Sequence, residues 1–205
     1  MKKHLTLGLL AATSMIPFTA QAENKGGLFV EPMLTYEQSD TELDYPSPLG
    51  KSEGDLEGFG VGARLGFHVY EALFIAADAR YTMPDFNDDD NDYKADGKAY
   101  NYGATVGLQV PSDIGLRVWG TAVLGGQMDP DKNNGADLKF EDASGYRLGA
   151  GILLGTVSLN LEYQDISYGK SKVESLGSFD SNIESDDIDA TTTGYVASVS
   201  FPFSL

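Results

Sequence analysis

Period-two alternation of apolar and polar residues, repeated eight times, restricts what this chain can fold into more than any other feature. Successive side chains of a strand point to opposite faces, so each alternating run is a two-faced ribbon. The pattern predicts strands at about 27–37, 57–69, 72–83, 99–110, 114–125, 144–154, 157–166 and 192–203. Each runs roughly 10–13 residues, beyond the ~5–6 of ordinary soluble strands and suited to a tilted membrane crossing. In the second run, Phe59, Val61, Ala63, Leu65, Phe67 and Val69 oppose Gly58, Gly60, Gly62, Arg64, Gly66 and His68. In the third, Leu73, Ile75, Ala77, Ala79 and Tyr81 oppose Phe74, Ala76, Asp78, Arg80 and Thr82.

Connections, tyrosines and arginines each add a constraint. Tyr70-Glu71, Pro111-Ser112-Asp113 and Gly155-Thr156 are tight turns, whereas 38–56, 84–98, 126–143 and 167–191 are long and rich in Asp, Asn, Gly and Ser. Transmembrane barrels alternate short periplasmic turns with long outer loops in this way. Tyr36, Tyr81, Tyr100, Tyr146, Tyr163 and Tyr195 all fall on apolar faces at the long-loop ends, which predicts one membrane-interface ring. Beyond the N-terminal segment the four arginines, Arg64, Arg80, Arg117 and Arg147, lie mid-strand on the polar faces, as do Glu31, Asp78 and Glu162. Buried charge is tolerable only when paired, so these seven are expected to form a lumen ion network, with Arg64 beside Asp78 and Arg147 diagonal to Glu162. In lipid a sheet must close on itself. The fold expected is an all-β, eight-stranded antiparallel up-and-down transmembrane β-barrel.

The N-terminus joins Lys2-Lys3-His4 to an apolar stretch, Leu5 to Phe18, and the small residues Ala20-Gln21-Ala22. This reads as a cleavable signal peptide over 1–22, leaving the barrel with four long acidic extracellular loops over 23–205. The net charge is −17, which loss of Lys2 and Lys3 takes to −19. Nucleic acid needs a positive face and is excluded as a partner. With no cysteine there is no disulfide or thiolate chemistry.

The signal peptide, the eight amphipathic strands and the C-terminal Phe201-Pro202-Phe203-Ser204-Leu205 together resemble the small outer-membrane barrels of the OmpA transmembrane-domain, OmpX/Ail and OmpW type. The resemblance covers essentially all of residues 23–205. It implies a Gram-negative outer membrane and insertion by the barrel-assembly machinery. Such proteins usually end in Phe or Trp, the residue that machinery reads; here Leu205 is last, with Phe203 and Phe201 on its face. The peptidoglycan-binding domain of full-length OmpA is expected to be absent.

Four motifs carry competing readings. Gly58-Phe59-Gly60-Val61-Gly62-Ala63 has dinucleotide-loop spacing, but alternation continues through Gly66 where that loop needs a helix. Glycine on the inner wall instead leaves room for Arg64, Arg80, Phe74 and Trp119 in a bore just wide enough for side chains. His68, with Ser158 or Asp78, offers a triad only on paper, because it sits by a periplasmic turn. Asp129, Asp131 and Asn133 with Glu141 approach an EF-hand loop but carry one residue too many before Gly135 and before Glu141, so no metal site is assigned. Pro32 predicts a bulge in the first strand.

No cofactor and no catalysis are expected. The expected function is a structural, surface-interaction barrel whose bore the Arg/acid network closes. A narrow channel gated by those ion pairs is the alternative, and a lipid-modifying enzyme using His68 fits less well. Expected partners are outer-membrane lipid and lipopolysaccharide bridged by divalent cations, the assembly machinery and an extracellular ligand for the loops, with the barrel a monomer.

Overall fold

The structure is a computed structural model that describes residues 27–44, 50–70, 72–88, 93–112, 114–131, 136–176, 179–185 and 188–205. The expected signal peptide and the acidic run 89–92 lie outside the described residues. Among the described residues ten strands form one antiparallel sheet: β1 (Leu28–Asp44), β2 (Lys51–His68), β3 (Leu73–Asp88), β4 (Tyr93–Gln109), β5 (Ile114–Pro130), β6 (Ala136–Leu154), β7 (Val157–Leu176), β8 (Phe179–Ser185), β9 (Asp189–Ser200) and β10 (Phe203–Ser204). Each of β1 to β7 pairs with the next, and β9 pairs with both β7 and β1, which closes the sheet. β10 continues β9 against β1, and β8 pairs with the upper part of β7. The closed wall therefore has eight staves.

The wall sorts residues by parity. Leu34, Phe59, Leu65, Val106 and Leu161 are 54–70% exposed on its outside, while Arg147 is 0% and Arg64 1% exposed inside. Leu28 to Tyr36, Phe59 to Phe67, Tyr100 to Leu108 and Tyr146 to Leu154 bracket the outward apolar band on four staves. That makes nine residues per stave, within the roughly 9–11 that a tilted transmembrane strand needs. The tyrosines form the upper girdle, with ring centroids 6.2 Å apart for Tyr146–Tyr163 and 5.7 Å for Tyr163–Tyr195. Tyr81 faces Tyr100 in register, and Tyr36 packs 5.0 Å from Phe59. Ala104 lies at the middle of this band and Asp96 on the same face of β4 beyond the girdle. Ala104→Arg should cost about 2–4 kcal/mol in vesicle unfolding titrations, and Asp96→Arg close to nothing.

Two expectations are corrected. The segments 38–56, 84–98, 126–143 and 167–191 are largely strand, not long loops: β1 and β2 stay in register from Leu28↔Phe67 to Asp44↔Lys51, and β3 and β4 out to Asp88↔Tyr93. Above the girdle the outer face meets water, so its residues turn polar and the composition resembles a loop. The backbone groups still pair across each hairpin. Pro32 makes no bulge, because β1 and β2 run through Glu31↔Arg64, Pro32↔Ala63 and Met33↔Gly62 without a shift. Pro32 accepts from the Phe201 N–H at 2.9 Å, so its missing donor faces the last stave, where Pro202 interrupts that strand anyway. The register shifts fall instead at Tyr102/Gly103, Asp137/Leu138 and Val173/Ser175.

Candidate functional site

Inward positions stack into four layers from the periplasmic end outward. The first is aromatic. Phe29 and Phe74 meet edge to face at 5.8 Å, beside Trp119, and His68 lies 4.9 Å from Phe29. Glycines on neighbouring staves make the berths: a Cβ on Gly107 would stand 2.3 Å from the Phe74 ring, and one on Gly149 2.3 Å from Trp119.

The second layer holds all seven residues of the expected ion network. Arg117 donates through Nη1 and Nη2 to both Glu31 oxygens at 2.7 Å, and Ser200 Oγ donates to Glu31 Oε1 at 2.6 Å. Arg64 donates from Nε to Asp78 at 2.8 Å and from Nη2 to Glu162 at 2.9 Å, with its guanidinium 4.6 Å over Trp119. Arg80 Nη2 donates to both Glu162 oxygens at 2.6 and 2.8 Å, and its Nε to Asp78 at 3.3 Å. Arg147 reaches across the bore to Asp78 at 2.7 Å, so its bonded partner is Asp78 and not the diagonal Glu162. Asp78 is thus the hub of three arginines. Among the described residues Arg80 Nη1 and Arg147 Nε and Nη1 have no hydrogen-bond partner.

The third layer is polar and centres on Glu37, which the sequence reading left out. Gln164 Nε2 donates to its carboxylate at 2.5 Å, Ser39 Oγ at 3.2 Å and Thr82 Oγ1 at 3.4 Å. Its odd parity with Glu31 on one strand already placed it inside.

The fourth layer is apolar. Leu56, Val123, Met128, Phe140, Ala143, Ile166, Tyr168 and Ala190 are buried together, flanked by Leu43, Phe86, Leu138 and Ile188. Burial in this cap raises the Tyr168 phenol pKa above its usual range. The barrel therefore reverses polarity at the tyrosine girdle: polar inside and apolar outside within lipid, apolar inside and polar outside above it. The charged and polar layers lie between the aromatic layer and this apolar cap.

The other expected residues are not brought together. Ser158 donates to Asn160 at 2.8 Å, and Asp78 is held by its arginines, so neither forms a triad with His68. Asp129 faces Lys98 on β4, the Asp131 N–H bonds to Asp96 on the edge of β4, and Glu141 sits on β6 3.4 Å from Lys139. Asn133 lies outside the described residues. Among the described residues no group of three His, Cys, Asp or Glu side chains is placed to hold a metal ion.

A sequence family described as the outer membrane protein beta-barrel domain matches residues 6–203. No curated protein matches in sequence. Outer membrane protein OprG of Pseudomonas aeruginosa is similar in fold, with TM-score 0.56, 15% identity, and coverage of 87% of this chain and 97% of that one. Neisserial surface protein A aligns at TM-score 0.46 and 18% identity over 86% of this chain and 98% of its own. The attachment invasion locus protein Ail of Yersinia pestis aligns at 0.41 and 14% over 85% and 99%.

Proposed function

Because the chain belongs to the outer membrane protein β-barrel domain family and resides in the bacterial outer membrane, we propose that it is a non-conducting surface protein whose working part is the strand extension above the tyrosine girdle. The observation that carries this reading is the double seal. Ions crossing the bore would have to pass the Phe29–Phe74–Trp119 layer and the Leu56–Phe140–Tyr168 cap, both apolar. Hydrophobic constrictions exclude ions by dewetting. Meanwhile the extension presents paired strands to the outside on a rigid scaffold, where binding function is usually carried. In planar bilayers the purified protein should give no conductance steps. Regular steps that shift with Asp78→Ala would defeat the proposal.

A gated channel keeps one observation in its favour. Arg80 and Arg147 have unpartnered N–H groups, while Glu37 takes its bonds from Gln164, Ser39 and Thr82 rather than from an arginine. An arginine could exchange Asp78 for Glu37. That reading requires steps in bilayers that Glu37→Gln abolishes.

On the membrane side we propose lipopolysaccharide, reached through divalent cations, for a monomeric barrel inserted by the assembly machinery. Two outward rungs above the girdle pair acid with acid, Asp40 with Asp55 and Glu42 with Glu53, and Lys51 reaches Glu42 and Asp44 at the end of the hairpin. Like charges directly opposite destabilise a sheet, as they would repel lipid phosphates. Chelation with EDTA should lower the unfolding temperature in lipopolysaccharide-containing vesicles and leave it unchanged in phosphatidylcholine. An equal effect in both lipids would count against the bridge.

A further inference from the structure

We infer that the lumen binds one monovalent anion of halide size between the guanidiniums of Arg80 and Arg147. The two side chains come from β3 and β6 and converge on a single oxygen. Arg80 Nε donates to Asp78 Oδ1 at 3.3 Å, and Arg147 Nη2 donates to the same atom at 2.7 Å. Neither arginine is more than 6% exposed. Among the described residues, Arg80 Nη1 and Arg147 Nε and Nη1 are left without a hydrogen-bond partner. A guanidinium has only donors and stays protonated in proteins, so these groups need an acceptor to come to them. Two like charges that meet at one carboxylate oxygen also repel each other. A water would take the hydrogen bonds and leave the charge, whereas an anion answers both.

Charge sets the valence of the occupant. The second layer sets four guanidiniums, Arg64, Arg80, Arg117 and Arg147, against three carboxylates, Glu31, Asp78 and Glu162. Arg117 and Glu31 close on each other through two bonds of 2.7 Å. Arg64, Arg80 and Arg147 then share Asp78 and Glu162, and Arg147 has the smallest share, one bond to Asp78. An uncompensated buried charge is costly. One monovalent anion cancels the excess, whereas a doubly charged oxyanion would reverse it. Glu37 is the other candidate compensator, from the layer above. Its bonds come from Gln164, Ser39 and Thr82, none of them charged. The anion and a charge on Glu37 therefore compete for the same excess, and removing one strengthens the other.

The test uses the whole protein in detergent micelles. Equilibrium unfolding in urea is followed as chloride replaces gluconate at constant sodium. Once the site fills, the folded-to-unfolded ratio should rise about tenfold for each tenfold rise in chloride, as for one site present only in the folded state. Arg147→Met should flatten this dependence. Glu37→Gln should keep it and move its onset to several-fold lower chloride. Crystals grown from sodium bromide should show an anomalous scatterer inside the barrel, between Arg80 and Arg147. A flat response of the unaltered protein would overturn the proposal. So would an undiminished dependence in Arg147→Met, which would put the ions on the surface, or an unmoved onset in Glu37→Gln. Bromide peaks confined to the outer surface would mean an adventitious ion only and would overturn it too. If Arg147→Met does not fold, the bromide position and the Glu37→Gln shift still decide.

Discussion

Asp78→Asn is expected to destabilise the barrel by about 3–5 kcal/mol, because removing the charge of a buried ion-pair hub leaves its partners uncompensated in a low-dielectric interior. Asp78 accepts from Arg64, Arg80 and Arg147, and its side chain is fully buried. The asparagine keeps the shape but lacks the charge, and its amide hydrogens face guanidinium donors. Arg64 and Arg80 retain Glu162, so the loss concentrates on Arg147, which has no other hydrogen-bond partner among the described residues. Arg147→Met should accordingly cost less than about 1 kcal/mol or even stabilise, since the guanidinium there is the least compensated of the four. Combining the two substitutions should recover part of the Asp78→Asn loss. Equilibrium unfolding in urea from detergent micelles or thin vesicles reads all three. Equal losses for Asp78→Asn and Arg147→Met would show that the network is not organised around Asp78.

Phe140→Ala is expected to cost about 3–5 kcal/mol, the range for truncating a fully packed aromatic. Its neighbour Glu141→Ala should lie within about 0.5 kcal/mol of the unaltered chain, as surface substitutions do. Phe140 is 2% exposed within the apolar cap, whereas Glu141 points outward beside Lys139. Two adjacent positions in a segment whose composition reads as a loop should therefore differ by several kilocalories. Similar small effects at both would mean that no ordered cap seals the outer end.

This contrast marks where the sequence was legible. Within lipid the two faces differ so strongly that parity alone places Arg64, Asp78, Arg80, Glu162 and the six girdle tyrosines. The eight staves and their tight turns follow from the same alternation. Beyond the girdle the outward residues become polar, and contrast between faces is replaced by a general hydrophilicity. Carrying the parity forward still works on most staves: Leu56 follows Gly58, Phe86 follows Thr82, Ile166 and Tyr168 follow Gln164, and Ala190 precedes Thr192. It fails for Met128 and Phe140. On β5 Leu124 is the extra residue at the Tyr102/Gly103 register shift, which moves the inward set from odd to even positions. On β6 the change falls beside Asp142, whose φ of 59° is a left-handed conformation that Asp tolerates better than most residues. A bulge leaves little compositional trace, so the cap could be found only with the pairing in hand. The bonded partner of Arg147 was hidden for another reason. It depends on reach across the bore between staves that are not neighbours, which local spacing does not encode.

Spin labels placed singly along the outward face of β2 test the polarity reversal most directly, because that one strand crosses the boundary. In vesicles, labels replacing Phe59, Val61, Ala63, Leu65 and Phe67 should relax with oxygen dissolved in lipid. Those replacing Glu53, Asp55 and Glu57 should relax with a water-soluble nickel chelate, the changeover falling between Glu57 and Phe59. A label set from 59 to 67 that meets the nickel chelate, or oxygen access continuing undiminished up to Glu53, would contradict it.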